Sequence, residues 1–249
     1  MHPVIQTLID SETGSNTICQ ECRRIEAHLT HALGPWFVCD PSNGTDSVLF
    51  VGKVARGDYL GEEIAPSFED VQNFGRDFIK TSSWPYWSYT REILIEVFGD
   101  LERGLQCSSF TNIVKCNNES TPDTTNQSVK DHCIQKNGFI WKEFEAIKPR
   151  VAVFYTHTAY DSYIDSFRPA DAIRWEDNRS EWVEVGKKRM PWWDRSFFTA
   201  DNRELLRFLR VGHPERKRKD EFVKMISKWI IDATKSGKPN KMPPEKQAV

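Results

Sequence analysis

Four cysteines place the strongest constraint on how this 249-residue chain can fold. Cys19 and Cys22 stand at C-x-x-C spacing, whereas Cys116 and Cys133 lie far downstream on either side of a polar loop. Four thiolates can bind one metal centre only if the fold brings the early pair to the later two. The spacing therefore predicts a metal centre that joins the amino-terminal segment to the middle of the chain. The alternative is four structural thiols, because free cysteine is among the most buried residue types.

Composition favours a single domain. With 39% hydrophobic residues the chain can bury one sizeable core. We expect one domain over residues 1–235, an insertion within it at 165–200, and a disordered Lys- and Pro-rich tail at 236–249. The formal net charge of −2 means that nucleic-acid contacts would have to come from local basic patches.

The sequence predicts a cytoplasmic protein with no membrane partner. No apolar run reaches the roughly 18 residues that a membrane span needs, and the amino terminus lacks the apolar region of a signal peptide. Six cysteines in a chain of this length favour a reducing compartment, in which thiols bind metal or pack in the core, over a disulfide scaffold.

Hydrophobic periodicity predicts strands that alternate with helices. The expected strands are 48–52, 110–114, 151–155 and 206–211; the expected helices are 17–33, 86–98, 130–147 and 221–233, with irregular chain at 53–84 and a polar loop at 117–128. This alternation indicates a layered α/β fold with a mainly parallel sheet. Ligands bind such sheets beyond the carboxyl ends of the strands. We therefore expect the site in the loops after Gly52, around 112–118, at 156–160 and at 212–216.

Three blocks carry a family resemblance. They are Val48–Gly52 with its loop, Thr111–Cys116 with Cys133 and the strand and turn at 148–160, and Gly212-His213-Pro214. In this order, and with this cysteine placement, they resemble the iron–sulfur branch of the uracil-DNA glycosylase superfamily. The resemblance covers about residues 17–230 and is weakest in the insertion. It implies a three-layer α/β sandwich around a central, mainly parallel four-stranded sheet.

The resemblance also favours a [4Fe–4S] cluster on Cys19, Cys22, Cys116 and Cys133. Structural zinc on the same four thiolates is the alternative, since four cysteines suit either metal. Cys107 is a rival to Cys116 as a ligand, and Cys39 is expected to be a core thiol.

The implied activity is that of a monomeric DNA glycosylase, which hydrolyses the N-glycosidic bond of uracil or another modified pyrimidine and leaves an abasic site. The bond breaks through an oxocarbenium-like sugar and an anionic base, so the site needs a donor at the base and a group that positions water. His213 matches the family's late His-Pro motif and is the candidate donor. Asn112 matches the asparagine that reads the pyrimidine edge. The alternatives are that His213 caps its turn and that Asn112 fixes its loop.

The first motif departs from the family pattern. The iron–sulfur branch has Gly-Glu-Ala-Pro-Gly where this chain has Gly-Lys-Val-Ala-Arg, so Lys53 stands where the acid is expected. We expect Asp58 to position the water, with Glu62, Glu63 and Asp70 as further candidates. Lys53, with Arg56 close behind it in the same loop, would then contact a phosphate or an unusual base.

A base in a duplex reaches such a site only after it is flipped out and stacked on a flat side chain. Phe68 is the first choice because it is expected in the polar loop before a helix; the other candidates are Trp84, Tyr86 and Trp87. Aromatic side chains are more often part of a core than a stacking platform.

Two basic runs are candidates for DNA contact. The first is Arg216, Lys217, Arg218 and Lys219, directly after the His-Pro pair. The second lies in the insertion and comprises Lys187, Lys188, Arg189 and Arg195 around Trp192 and Trp193, which form either an arm on nucleic acid or a hairpin packed on the core.

The resemblance thus implies a base-excising enzyme of DNA repair or of defence against phage with modified bases. Lys53 in place of an acid favours the rival interpretation, a non-catalytic nucleic-acid-binding protein on the same fold. A third possibility is a zinc-stabilised protein of unrelated function.

Overall fold

A computed structural model describes residues 22, 24–25, 29–32, 38, 47–56, 68–118 and 125–236. Its strands are β1 (Leu29–Ala32), β2 (Val48–Gly52), β3 (Ala55–Arg56), β4 (Ser108–Asn112), β5 (Cys116–Asn118), β6 (Val151–Phe154), β7 (Arg174–Val185), β8 (Lys188–Phe198) and β9 (Glu204–Val211). Its helices are α1 (Phe68–Thr81), α2 (Pro85–Phe98), α3 (Leu101–Gln106), α4 (Gln127–Lys130), α5 (Phe139–Ile147), α6 (Asp161–Ser166) and α7 (Lys219–Ser236). A π-helix spans Asp131–Lys136, and a 3-10 helix spans His157–Tyr160.

The main sheet has the strand order β4-β2-β6-β9-β8-β7. The first four strands are parallel, and β8 and β7 form an antiparallel hairpin. The predicted α/β fold with a mainly parallel sheet is confirmed. The expected count of four strands is wrong, since the described sheet has six. Strand β9 would be the edge of the parallel part of the sheet, with unpaired backbone groups. Strand β8 pairs with that edge, so the hairpin of the expected insertion extends the sheet.

Helices cover both faces of the parallel part of the sheet. Strand β2 is fully buried, and its alternate side chains enter two separate core clusters. Val48 and Phe50 pack with residues of α2 and α7, whereas Leu49 and Val51 pack with residues of α5 and α6. A strand buried on both faces reads as a continuous apolar run, which is why it was predicted correctly from the sequence.

Several local predictions are wrong for identifiable reasons. The expected helix 17–33 includes Leu29–Ala32, which is strand β1 because it pairs with β5; the other described residues of that range are Cys22, Arg24 and Ile25, which are helical. The expected irregular stretch 53–84 contains β3 and the helix α1. Phe74, Phe78 and Ile79 of α1 pack in the same core cluster as Val48 and Phe50 of β2. The second strand is 108–112 rather than 110–114.

The expected helix 130–147 is interrupted. Gly138 has a φ of 65° and separates the π-helix from α5. The range therefore contains the last residue of α4, the π-helix and α5. The left-handed conformation is accessible to glycine at little cost and ends one helix before the next begins. The tail after residue 236 lies outside the described residues, and the domain boundaries stay a prediction.

A buried ion pair fixes the loop that follows β4. Lys115 Nζ lies 2.6 Å from Glu143 Oε2 and donates to Thr111 Oγ1 at 2.6 Å, and both charged side chains are almost fully buried. Burial lowers the pKa of Lys115 and raises the pKa of Glu143, while their mutual attraction opposes both shifts. Thr111 donates to the same carboxylate at 2.8 Å. This network holds residues 111–115 against helix α5, on either side of Asn112.

None of the described helices combines the length and the apolar character that crossing a membrane would require.

Candidate functional site at the carboxyl edge of the sheet

The four parallel strands end together. Gly52 pairs with Asn112 at the ends of β2 and β4, and β6 and β9 end at Phe154 and Val211 in the same direction. Beyond β2 and β4 the backbone stays paired, since Ile113 N donates to Gly52 O at 2.9 Å. The loops predicted to hold the site therefore leave the sheet at one edge, where parallel sheets bind ligands.

Asn112 lies directly against the end of β2. A Cβ atom on Gly52 would stand 2.3 Å from Asn112 Oδ1 and 3.1 Å from Tyr86 Cε2. Only glycine leaves room for this approach, because a Cβ atom at 2.3 Å would overlap the amide oxygen. Asn112 is only 8% exposed. Two of the predicted base-contacting residues, Asn112 and Tyr86, are thus brought together over Gly52.

The ring of Tyr86 links this pair to His213. The two rings are nearly parallel, with centroids 6.4 Å apart and 21° between their planes. Tyr86 also meets Tyr155 edge-on, with ring centroids 5.6 Å apart. Burial, with Tyr155 next to it, raises the pKa of Tyr86 well above its usual value, so its hydroxyl stays protonated. Asn112, Tyr86 and His213 therefore form one continuous group.

The backbone of the turn sets the tautomer of His213. Glu215 N donates to His213 Nδ1 at 3.2 Å, so the neutral ring carries its proton on Nε2. The carboxylate of Glu215 lies 3.9 Å from the same nitrogen, too far for a hydrogen bond. The side chain is 27% exposed. His213 can thus cap its turn through Nδ1 and still act as a donor, because the capping contact leaves the proton on Nε2.

Positive charge gathers where the family's acid was expected. Lys53 follows Gly52, and its carbonyl accepts from Val114 N at 3.0 Å. Burial is the main reason that the pKa of His157 is lowered, and the charges of Lys53, Arg210 and Lys217 lower it further. His157 therefore stays neutral at neutral pH, beside cations that come from three different segments.

Sequence reasoning did not single out His157. It opens the 3-10 helix after β6 with a φ of 56°, in the left-handed region. Its Nδ1 lies 3.0 Å from Thr158 Oγ1, and its ring meets the ring of Trp182 edge-on at 5.9 Å. The available signal was its position directly beyond a buried strand, in a loop that the sequence did mark as part of the site.

The basic run 216–219 does not form one surface. Arg218 pairs with Asp220 at 3.0 Å and with Glu221 at 3.1 Å, and Lys219 pairs with Glu92 of α2. Arg216 is 85% exposed beside Glu215, and Lys217 is partly buried and turned toward the edge. Of the four cations, Arg216 and Lys217 are therefore placed best for a phosphate.

The second basic cluster divides as well. Arg195 is buried and binds the carboxylate of Asp177 and that of Asp165 at 2.8 Å, so its role is structural. Lys187, Lys188 and Arg189 are exposed at the tip of the hairpin. Trp192 and Trp193 are buried. These two tryptophans fit the interpretation of a hairpin packed on the core.

The aromatic candidates also separate. Phe68 is the first residue of α1 rather than part of a loop before a helix, and its side chain lies outside the described residues. Trp87 is buried in the core, while Trp84 is 51% exposed and packs edge-on against Phe78. Of these candidates Tyr86 is the one whose contacts with Gly52 and His213 place it at the edge.

Three of the four predicted ligand cysteines share one region. Cys22, Cys116 and Cys133 are buried in the same core cluster, and Ala32 of β1 pairs with Cys116 of β5. Lys115 N donates to Cys133 Sγ at 3.4 Å. Among the described residues, no three His, Cys, Asp or Glu side chains are arranged to hold a metal ion. Cys19 lies outside the described residues.

Cys107 does not share that region. Cys107 directly precedes β4, and its carbonyl accepts from Val48 N at the amino end of β2. It therefore lies at the amino end of β4, whereas Cys116 follows the carboxyl end of β4. Cys39, Asp58, Glu62 and Glu63 lie outside the described residues, as does the side chain of Asp70.

The sequence matches no family model, and a search of curated proteins finds no match.

The backbone at His157 makes a prediction about stability. A left-handed residue costs less as glycine than as alanine, so His157→Gly should be more stable than His157→Ala by about 1 kcal/mol. Urea unfolding of the two variants measures the difference. The same pair at the adjacent Thr158, which does not have a positive φ, is the control and should show the reverse order. Equal stabilities of the two His157 variants would contradict the left-handed assignment.

Proposed function

We propose that the protein is a DNA glycosylase related in fold to the uracil-DNA glycosylases, and that it removes uracil or another modified pyrimidine from DNA. The observation that carries the proposal is the meeting of Asn112, Tyr86 and His213 at the carboxyl edge of the parallel sheet. A sheet with helices on both faces fits the three-layer arrangement of that superfamily.

Each of the three side chains suits one part of the reaction. The amide of Asn112 can donate and accept at once, which matches the edge of a pyrimidine. The ring of Tyr86 offers a flat apolar surface for a base that has left the stack. His213 would donate from Nε2 to the base as it departs as an anion, and no proton transfer is needed for that role.

Lys53 changes what the first loop can do. A cation next to the sugar would oppose an oxocarbenium-like transition state, whereas a cation next to the departing base would favour it and one next to a phosphate would contribute to binding. We therefore propose that Lys53 faces the departing base or a phosphate. Asp58, six residues after Gly52 in the sequence, is the proposed group that positions the water on the sugar.

We further propose a [4Fe–4S] cluster on Cys19, Cys22, Cys116 and Cys133. Three of these thiols are buried in the same part of the hydrophobic core. The N–H that Lys115 donates to Cys133 Sγ is the kind of contact that tunes iron–sulfur clusters. When bound, the cluster would join the amino-terminal segment to the loop after β4. It would thereby support Asn112 without taking part in the reaction.

The activity is tested with purified protein on DNA that contains uracil and, separately, on DNA that contains bulky modified cytosines. Strand scission after alkali treatment reports abasic sites. Asn112→Ala and His213→Ala should each lower the rate on the order of 100-fold, because each removes a contact to the departing base. Binding to undamaged DNA should be unchanged. His132→Ala, in the π-helix, is the matched control and should keep full activity.

The outcome separates two functions. Scission that depends on Asn112 and His213 supports the enzyme, and the preferred substrate shows whether the pocket takes uracil or a larger base. DNA binding without any scission contradicts it. The non-catalytic nucleic-acid-binding protein, which Lys53 favours, would then be the better interpretation.

Cys133→Ser tests the proposed cluster. We expect the variant to lose most of its bound iron and sulfide relative to the parent protein, as measured by elemental and sulfide analysis. Cys107→Ser removes a thiol at the other end of β4 and should leave the metal content unchanged. Full iron content in Cys133→Ser would contradict the four-cysteine site, and zinc in place of iron would favour the structural alternative.

A further inference from the structure

Three lysines lie at the carboxyl edge of the sheet. Lys53 leaves β2, Lys217 follows β9, and Lys188 begins β8 in the hairpin. These lysines come from distant parts of the sequence, and their position at one edge was not predicted.

The hairpin is fastened to the segment that carries Lys217. Val185 pairs with Lys188 across a two-residue turn in which Gly186 has a φ of 60°. A Cβ atom on Gly186 would stand 3.0 Å from Arg218 Cβ, and Gly186 N donates to the carboxylate of Glu221. Contacts of the turn therefore hold Lys188 close to Lys217 against the repulsion between the two like charges.

Lys217 is held on the inner side of this edge. Tyr89 donates its hydroxyl to Lys217 O at 2.9 Å, and Lys217 N donates to Pro214 O at 3.1 Å. Around Gly212 three side chains converge, since a Cβ atom there would stand 3.1 Å from Met190 Cγ, 3.6 Å from His157 Cδ2 and 3.7 Å from Lys217 Cε. The stem of Lys217 and the ring of His157 thus lie against the same glycine.

The charges of the three lysines also act on one another. Burial lowers the pKa of Lys217, and Lys188 and Lys53 lower it further, while Glu215 opposes them. The charge of Lys53 also acts on His157. Holding like charges together in a partly buried site is unfavourable, and a bound anion would remove the penalty.

We propose that Lys53, Lys188 and Lys217 bind one phosphate group beside the His157 ring. Three ammonium groups from separate segments suit a compact multiply charged oxyanion, and each can turn its donors toward a different oxygen. Neutral His157 can add a hydrogen bond without adding charge. This site stands whether or not the protein cleaves a glycosidic bond.

Trp182 indicates a nucleic-acid strand as the source of the phosphate. It is 49% exposed and meets the His157 ring edge-on at 5.9 Å. A base next to the bound phosphate could stack on its open face, as bases do on aromatic side chains in single-strand binding sites. A free phosphate would make no use of that surface.

The test measures binding of a short single-stranded oligonucleotide without modified bases, at several salt concentrations. Lys188→Gln and Lys217→Gln should each weaken binding about tenfold and lower the salt slope by about one. Lys187→Gln, one residue from Lys188, and Lys224→Gln, at an exposed position of α7, remove the same charge and should change binding much less. Urea unfolding of Lys217→Gln checks that it is folded, and Lys188→Gln changes only an exposed residue of the hairpin.

Inorganic phosphate as a competitor identifies the source. Competition at millimolar phosphate that is lost in Lys217→Gln supports the site with free phosphate as a sufficient ligand. Tight oligonucleotide binding without such competition supports the site with a backbone phosphodiester as its ligand. Equal weakening by the two site variants and the two control variants, or no weakening by either site variant, overturns the proposal. Because the oligonucleotide has no base to excise, failure of the glycosylase proposal would leave this result interpretable.

Discussion

Backbone hydrogen bonding between parallel strands is the constraint on which the site depends. Strand β2 lies between β4 and β6, pairs with both in parallel, and contributes no polar side chain to either core cluster. The position of β2 fixes where the strand ends at Gly52, and hence where Lys53 lies. The paired end of β4 then puts Asn112 beside Gly52, and glycine allows the amide to approach. The geometry of the edge therefore follows from strand pairing and from one missing Cβ atom.

The same edge also carries features that lower stability. His157 holds a left-handed backbone without being glycine, and like charges meet around it. Beneath the edge, Lys115 and Glu143 are buried as an ion pair, and exchanging such a pair for apolar side chains is often neutral or stabilising. Local costs of this kind concentrate where a protein binds or reacts. Their coincidence with the ends of the parallel strands is the physical argument that this edge is the functional one.

The sequence predicted most of what depends on local pattern. Continuous apolar runs located β2 and β6, hydrophobic periodicity located most of β9, and the loops after these strands were expected to form the site. Pairing between distant segments was not predictable: Leu29–Ala32 has helical spacing yet forms a strand, and the hairpin joins the sheet edge. The run 216–219 shows the same limit, because only the fold reveals that Arg218 and Lys219 face carboxylates.

Amide hydrogen exchange, measured with and without a single-stranded oligonucleotide, tests whether nucleic acid binds at the carboxyl edge of the sheet. Binding there should slow exchange in the loops at 53–54, 113–115, 156–158 and 212–217 and in the hairpin turn at 186–188. Slowing confined to the opposite edge, around 105–107 and 148–150, would contradict it.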